Sequence, residues 1–139
     1  MEQTRPKWLK STKGAPFTGI GSLEADILSI VWQHDSTTVR DVYETLRARR
    51  TIAYTTVMTV MNNLVKKHLL TQDKSGIAYV YTPAIPGREV ALTVLDSVID
   101  RLLAGERRVA VAHLLGFDED LSEAEYEQLR QGARRRLAS

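Results

Sequence analysis

The sequence contains no cysteine, and that absence excludes several chemistries at once. Disulfides, zinc–thiolate centres and thiol redox switches are all ruled out. Histidine is scarce as well. His34, His68 and His113 fall one to a region, without the spacing of a metal-ligand set. No metal and no other cofactor is expected. No apolar run approaches the roughly 18 residues that a membrane-spanning helix requires. The basic N-terminus lacks the apolar stretch of a secretory signal. A cytoplasmic protein with no membrane partner is the expectation. Gly19-Ile20-Gly21-Ser22 has neither the strand–helix setting nor the third glycine of a dinucleotide-binding loop. No Ser/His/Asp arrangement stands out either, so the chain is not expected to be an enzyme.

What the chain does have is positive charge in one place. Its formal net charge is only +2. Residues 37–67 nevertheless hold six Lys/Arg against two Asp/Glu, whereas residues 85–139 hold eight against ten. A basic surplus confined to one segment is the footprint of a nucleic-acid contact. Hydrophobic residues at 43% suffice for a packed core, and the length allows one domain or two small ones.

Within the basic segment, Tyr54 to Lys67 reads as an amphipathic helix. Val57, Val60, Met61 and Leu64 share one stripe at helical spacing. The opposite face carries Thr55, Thr56, Thr59, Asn62, Asn63 and Lys66. A solvated face ordinarily favours Glu, Lys, Gln and Arg, because Thr and Asn cost helix propensity. Short uncharged groups that donate and accept hydrogen bonds suit base edges instead. A threonine methyl can meet the thymine methyl, and asparagine can pair with adenine. Lys66 and Lys67 close the helix where they could reach phosphate. These residues alone also allow an ordinary amphipathic helix with incidental threonines, so the flanking segments decide.

Residues 1–20 mix Lys, Thr, Gly and Pro and read as a disordered basic tail. Ser22 is the expected cap of a first helix, with Leu23, Ile27, Ile30 and Val31 on its stripe and Trp32 in the core. Thr38 caps a second helix, and Asp41 completes a capping box. Val42 and Leu46 face inward there, while Arg40, Arg47, Arg49 and Arg50 face outward. Thr51 and Ile52 turn into the Tyr54–Lys67 helix. The period then changes: Leu70–Asp73 and Ala78–Thr82 read as strands around a Lys74-Ser75-Gly76 turn. Two helices joined by a short turn, with a hairpin after the second, make a winged helix with Lys74 at the wing tip.

Pro83 and Pro86-Gly87 mark a boundary. Beyond it, Val90, Val94, Leu95, Val98, Ile99 and Leu102 make the apolar face of a long helix. Leu114 belongs to a second helix over Glu106–Leu115, and Leu129 to a third that Ser122 and Glu125 cap. A segment this small buries apolar surface poorly alone, so these residues are expected to form a dimer interface. The fold class is therefore mainly α (α+β). A winged helix-turn-helix with a two-stranded wing spans residues 21–84, and a three-helix dimerisation domain spans residues 85–139. Such a dimer addresses an inverted repeat whose half-sites lie about one helical turn, or a multiple, apart. The expected DNA-contact set is Thr38, Arg40, Tyr54, Thr55, Thr56, Thr59, Asn62, Asn63, Lys66, Lys67 and Lys74.

Leu23-Glu24, Val31-Trp32, Thr38-Val39-Arg40-Asp41-Val42, the run from Ala53 to Val60, Leu64 and Lys66-Lys67 resemble the BlaI/MecI/CopY family of bacterial repressors. The resemblance covers residues 20–137. It implies a homodimeric repressor of β-lactamase, methicillin-resistance, copper or similar stress genes, bound to an inverted-repeat operator in double-stranded DNA. It also implies that Thr55, Thr56 and Thr59 face the groove, with Lys66 and Lys67 near phosphate or packed about the helix end. Three departures matter. Asn63 stands where many relatives carry arginine, which alters grip or base preference. The cysteine-rich copper motif is missing, which excludes copper sensing of that kind. Relatives released by a sensor protease are cut at an Asn-Phe bond, and the matching His113-Leu114-Leu115 has none. That argues against a sensor-protease partner and leaves the inducing signal open. A ligand-gated regulator and a winged helix used for protein contacts are the alternatives. The Thr/Asn face argues against the second, since protein interfaces favour aromatic and aliphatic anchors.

Overall fold

A computed structural model describes residues 20–138, so the expected tail falls almost wholly outside the described residues. Along the chain come α1 (Ser22–His34), α2 (Val39–Arg47), α3 (Tyr54–Lys66), β1 (Leu70–Asp73), β2 (Val80–Pro83), α4 (Gly87–Leu102), α5 (Arg107–Leu114) and α6 (Glu123–Ala138). This is the mainly α architecture with one two-stranded antiparallel sheet that the sequence predicts. Among the described residues no helix is long and apolar enough to cross a membrane.

The first three helices pack through their apolar stripes. Ile27, Leu28, Ile30 and Val31 of α1 meet Val42 and Leu46 of α2 and Val57, Met61 and Leu64 of α3 in one core. Each of these side chains is exposed by 2% or less. The cap of α1 is Gly21, not Ser22: the Gly21 N–H donates to Glu24 Oε1 at 2.9 Å, so a carboxylate one turn on does the work expected of a serine hydroxyl. The capping box of α2 forms as read. Thr38 Oγ1 accepts the Asp41 N–H at 3.2 Å, and Asp41 Oδ2 accepts the Thr38 N–H at 3.4 Å. Thr38→Ala is expected to destabilise the chain by about 1 kcal/mol, measurable as a lower urea midpoint with an unchanged slope.

The wing pairs Leu70 with Pro83, Thr71 with Thr82, Gln72 with Tyr81 and Asp73 with Val80. Its second strand starts at Val80 rather than Ala78. Asp73 Oδ1 accepts the Ser75 N–H at 2.9 Å, which turns the chain away early and leaves Lys74 through Tyr79 as an open loop. The alternation expected from Ala78 onward is therefore cut short. Tyr81 is buried, but Tyr79 lies outside the strand and is exposed. Thr37, just before the cap of α2, bridges to the sheet. Its N–H donates to the Tyr81 carbonyl at 3.0 Å and its carbonyl accepts the Tyr81 N–H at 2.8 Å.

Ile85 and Val90 lie beyond the boundary expected at residue 84, yet both are buried in the core of the first three helices, and Val94 packs against that core. Val90 and Val94, placed by the sequence on a dimer face, are thus taken up within the chain. Further along α4, Ser97 and Ile99 are buried, as are Ala112 of α5 and Leu121. Ala104 and Gly105, at φ 51° and 77°, end α4. Ser122 and Glu125 cap α6 reciprocally, at 2.9 and 3.1 Å. α6 itself has no buried residue.

Candidate nucleic-acid interface

α3 turns Val57, Met61 and Leu64 into the core and leaves Thr55, Thr56, Thr59, Asn63 and Lys66 exposed along its outer side. This is one continuous polar strip. No acidic residue occupies the first turn of α3, so nothing opposes the positive pole of the helix where a phosphate would lie. Tyr54 stands at the start of the strip. Its ring meets Tyr43 of α2 edge-on at 5.5 Å, and Arg47 lies over Tyr43 at 5.8 Å.

Asn62 and Lys67, both in the expected contact set, are engaged with distant elements of the fold. Asn62 is half-buried, and its Oδ1 accepts from the Tyr81 hydroxyl at 3.0 Å and from Gln72 Nε2 at 3.2 Å. Gln72 Nε2 also reaches the Tyr81 oxygen at 2.7 Å. Asn62 thereby fastens the wing to α3 instead of standing open to a base. Lys67 Nζ pairs with Glu24 at 2.8 Å, tying the end of α3 to the start of α1. Neither role is visible in helical spacing, because each partner sits on a distant element.

The Tyr81 hydroxyl is the hub of the wing contact. Burial pushes its pKa above the ordinary phenol range, partly offset by the hydrogen bond from Gln72. A folded-state pKa that is raised adds stability at neutral pH and gives it up as pH climbs through that pKa. Tyr81→Phe is expected to cost about 1–2 kcal/mol at pH 7, because Asn62 Oδ1 loses a donor. The difference from the unsubstituted chain should narrow above about pH 10. Urea titrations at the two pH values check both statements.

The basic residues divide into two groups. Arg40 and Arg47 share Glu44 at 3.5 and 3.3 Å, and Arg50 meets Asp26 at 3.1 Å. Exposed pairs of this kind contribute about 0–1 kcal/mol, so a phosphate can replace the carboxylate at little cost. Lys66 has no acidic partner among the described residues, and Lys74 lies over the Tyr79 ring at 5.7 Å.

Between α3 and the wing lies a cleft of 390 Å³. It brings together Thr38 and Arg40 from the start of α2, Tyr54, Met58 and Asn62 from one side of α3, and Ile77, Tyr79 and Tyr81 from the wing. Met58, Ile77 and Tyr79 are exposed apolar residues here. Helical spacing puts Met58 on this side of α3, four residues from both Tyr54 and Asn62. Ile77 falls between the Lys74-Ser75-Gly76 turn and the strand expected from Ala78, where neither assignment covers it.

In the C-terminal part, Ile99 is buried and Val98 half-buried, while Leu95, Leu102, Leu114 and Leu129 are exposed. Leu92, Leu115, Phe117 and Leu137 are exposed as well. Leu95, Val98, Leu114 and Phe117 line an apolar cleft of 450 Å³ between α4 and α5.

A compact helical head that presents an uncharged polar helix, followed directly by a hairpin, defines a winged-helix DNA-binding protein. The family described as penicillinase repressor matches residues 20–135. The chain belongs to that family, and it is a DNA-binding transcriptional repressor, not an enzyme. The transcriptional regulator BlaI of Mycobacterium tuberculosis is 39% identical over 111 residues, covering 76% of this chain and 80% of the regulator. The penicillinase repressor of Bacillus licheniformis is 29% identical over 112 residues, covering 81% of this chain and 87% of the repressor. A solution structure of the DNA-binding domain of the repressor BlaI aligns with a TM-score of 0.47 at 28% identity, over 53% of this chain and 90% of that domain.

Proposed function

We propose that the chain represses transcription as a homodimer seated on an inverted-repeat operator. The exposed strip of α3 carries the reading: Thr55, Thr56 and Thr59 meet base edges in the major groove, with Asn63 beside them. Lys66 and Lys74 contact phosphate, and Arg40 exchanges Glu44 for phosphate on binding. Tyr54, Thr38 and Asn62 position this surface, and Lys67 joins the phosphate contacts only by leaving Glu24.

Two features support a dimer held by the C-terminal part. α6 is a helix of 16 residues with nothing buried, whereas most helical stability in proteins comes from packing an amphipathic face. Leu102 and Leu114, exposed by 63% and 72%, stand beside the apolar cleft between α4 and α5. A relative in Bacillus licheniformis is named for repression of penicillinase, so a penicillinase gene is the first target to test. The sequence holds no Asn-Phe bond, so release by a cut at such a bond is not proposed.

Selection of duplexes from random DNA tests the whole reading. An inverted repeat bound by two chains is the expected result; enrichment of no sequence, or of a single unrepeated site, defeats it. Lys66→Ala then separates grip from reading. It should weaken binding to selected and scrambled duplexes alike and reduce the salt slope by about 1. A loss confined to one sequence would reassign Lys66 to a base.

A further inference from the structure

Gly87 opens α4 where there is no room for a side chain. A Cβ there would stand 2.5 Å from Trp32 Cδ2, 2.7 Å from Cγ and 2.8 Å from Cε3. These atoms are not the far end of a flexible group. Cγ is one bond from the Trp32 Cβ, so the ring cannot step aside without changing rotamer. Packing opposes that change. Trp32 lies against the core of the winged helix, and its Nε1 is buried with no hydrogen-bond partner among the described residues. An indole whose N–H is left unpaired serves here through its shape.

The other side of the contact is equally confined. Pro86 precedes α4 as its N-cap, and Ile85 and Val90 flank Gly87 from within the same core. α4 then runs unbroken to Leu102, and its later residues Ser97 and Ile99 are also buried. One continuous helix is thus shared by the DNA-reading head and the C-terminal helices, without a flexible linker. The face of Trp32 is the seat on which its first turn rests.

We infer that the Trp32–Gly87 contact sets the angle of α4 and thereby the half-site spacing that the dimer accepts. This rests on the dimeric, inverted-repeat reading above. The magnitude is sufficient. Moving a Cβ from 2.5 Å to ordinary contact takes a shift of about 1 Å. With Val90 as pivot, about 4.5 Å along the axis, that shift tilts α4 by about 13°. From Val90 to Leu102 the tilt acts over about 18 Å and displaces the far end by about 4 Å. A base-pair step is about 3.4 Å, so one methyl group is enough to take the second reading head out of register. Trp32 and Gly87 are positioning residues, and neither belongs to the DNA-facing strip.

The test uses the full chain and the duplex that the wild type selects from random DNA. The spacing between half-sites is varied in single base-pair steps, beside a duplex holding one half-site. Gly87→Ala is expected to bind the single half-site within about twofold of wild type while losing about tenfold or more at the wild-type spacing. Its optimum should move by a base pair or flatten. Trp32→Leu removes the seat without adding a clash and should flatten the profile; it decides the matter if Gly87→Ala does not fold. Profiles that keep the wild-type optimum overturn the inference. So does an equal loss on the single half-site and on every spacing, which would make the contact merely structural. A wild-type chain without any spacing optimum overturns the dimeric reading itself, and that outcome shows before any substitution is made.

Discussion

Thr59→Glu is expected to abolish operator selection, lowering affinity for the selected duplex by about a hundredfold or more while leaving the melting temperature unchanged. Thr59 sits mid-strip on α3, between Thr55 and Thr56 on one side and Asn63 on the other, and it is exposed. Glutamate there disturbs no packing and suits a helix better than threonine does. The loss comes from two sources. A missing base contact costs about 1–3 kcal/mol. A carboxylate carried into the groove also meets phosphates on both sides. Together they reach about 3 kcal/mol, and each 1.4 kcal/mol is about tenfold in affinity. Fluorescence anisotropy with selected and scrambled duplexes reads the effect. Unchanged discrimination between the two would remove α3 from the groove, whatever its polarity suggests.

A fragment of residues 20–96 is expected to be a folded monomer that binds the inverted repeat about a thousandfold more weakly than the full chain. The fragment of residues 20–96 keeps Ile85, Val90 and Val94, which complete the core of the head. It loses α5 and α6, and with α5 the apolar cleft that lies between it and α4. What disappears is the second head held at high local concentration, not any contact of the first. A shorter fragment ending at residue 84 should behave differently. Losing Ile85 and Val90 removes about 3–6 kcal/mol of buried surface, at about 1.5–3 kcal/mol for each side chain. That is comparable to the whole stability of a small domain, about 5–15 kcal/mol, so this fragment should be largely unfolded. Sedimentation and circular dichroism distinguish the two. A fragment of residues 20–96 that still dimerises would move the interface into the head.

The features legible in the sequence are those with local causes. The apolar stripe of Val57, Met61 and Leu64 and the capping boxes at Thr38 and Ser122 depend on residues three or four positions apart. They form where the spacing puts them. The features that the sequence leaves open have distant causes. Asn62 looks like any outward polar residue until Tyr81, 19 positions on, claims its oxygen. Lys67, expected near phosphate or packed about the helix end, lies at the helix end because Glu24, 43 positions back, stands beside it. Periodicity says which face a residue is on, but not what stands opposite that face. The same holds for Val90, whose apolar stripe is equally suited to a second chain and to its own α1–α3 core. The exposed loop from Lys74 to Tyr79 failed for another reason. A single Asp73–Ser75 hydrogen bond ends the ladder early, and alternation cannot report where pairing stops.

α6 brings a consequence that belongs to the cell more than to the molecule. On the dimeric reading proposed above, a helix with no buried residue takes its burial from a second copy. In a repressor built that way, abundance and folding are linked by mass action. Dilution below the dissociation constant of the pair frays α6 first and presents Leu129 and Leu137 to proteases. Occupancy of the operator then depends on roughly the square of the chain concentration. A modest fall in synthesis therefore both empties the site and hastens removal of what remains.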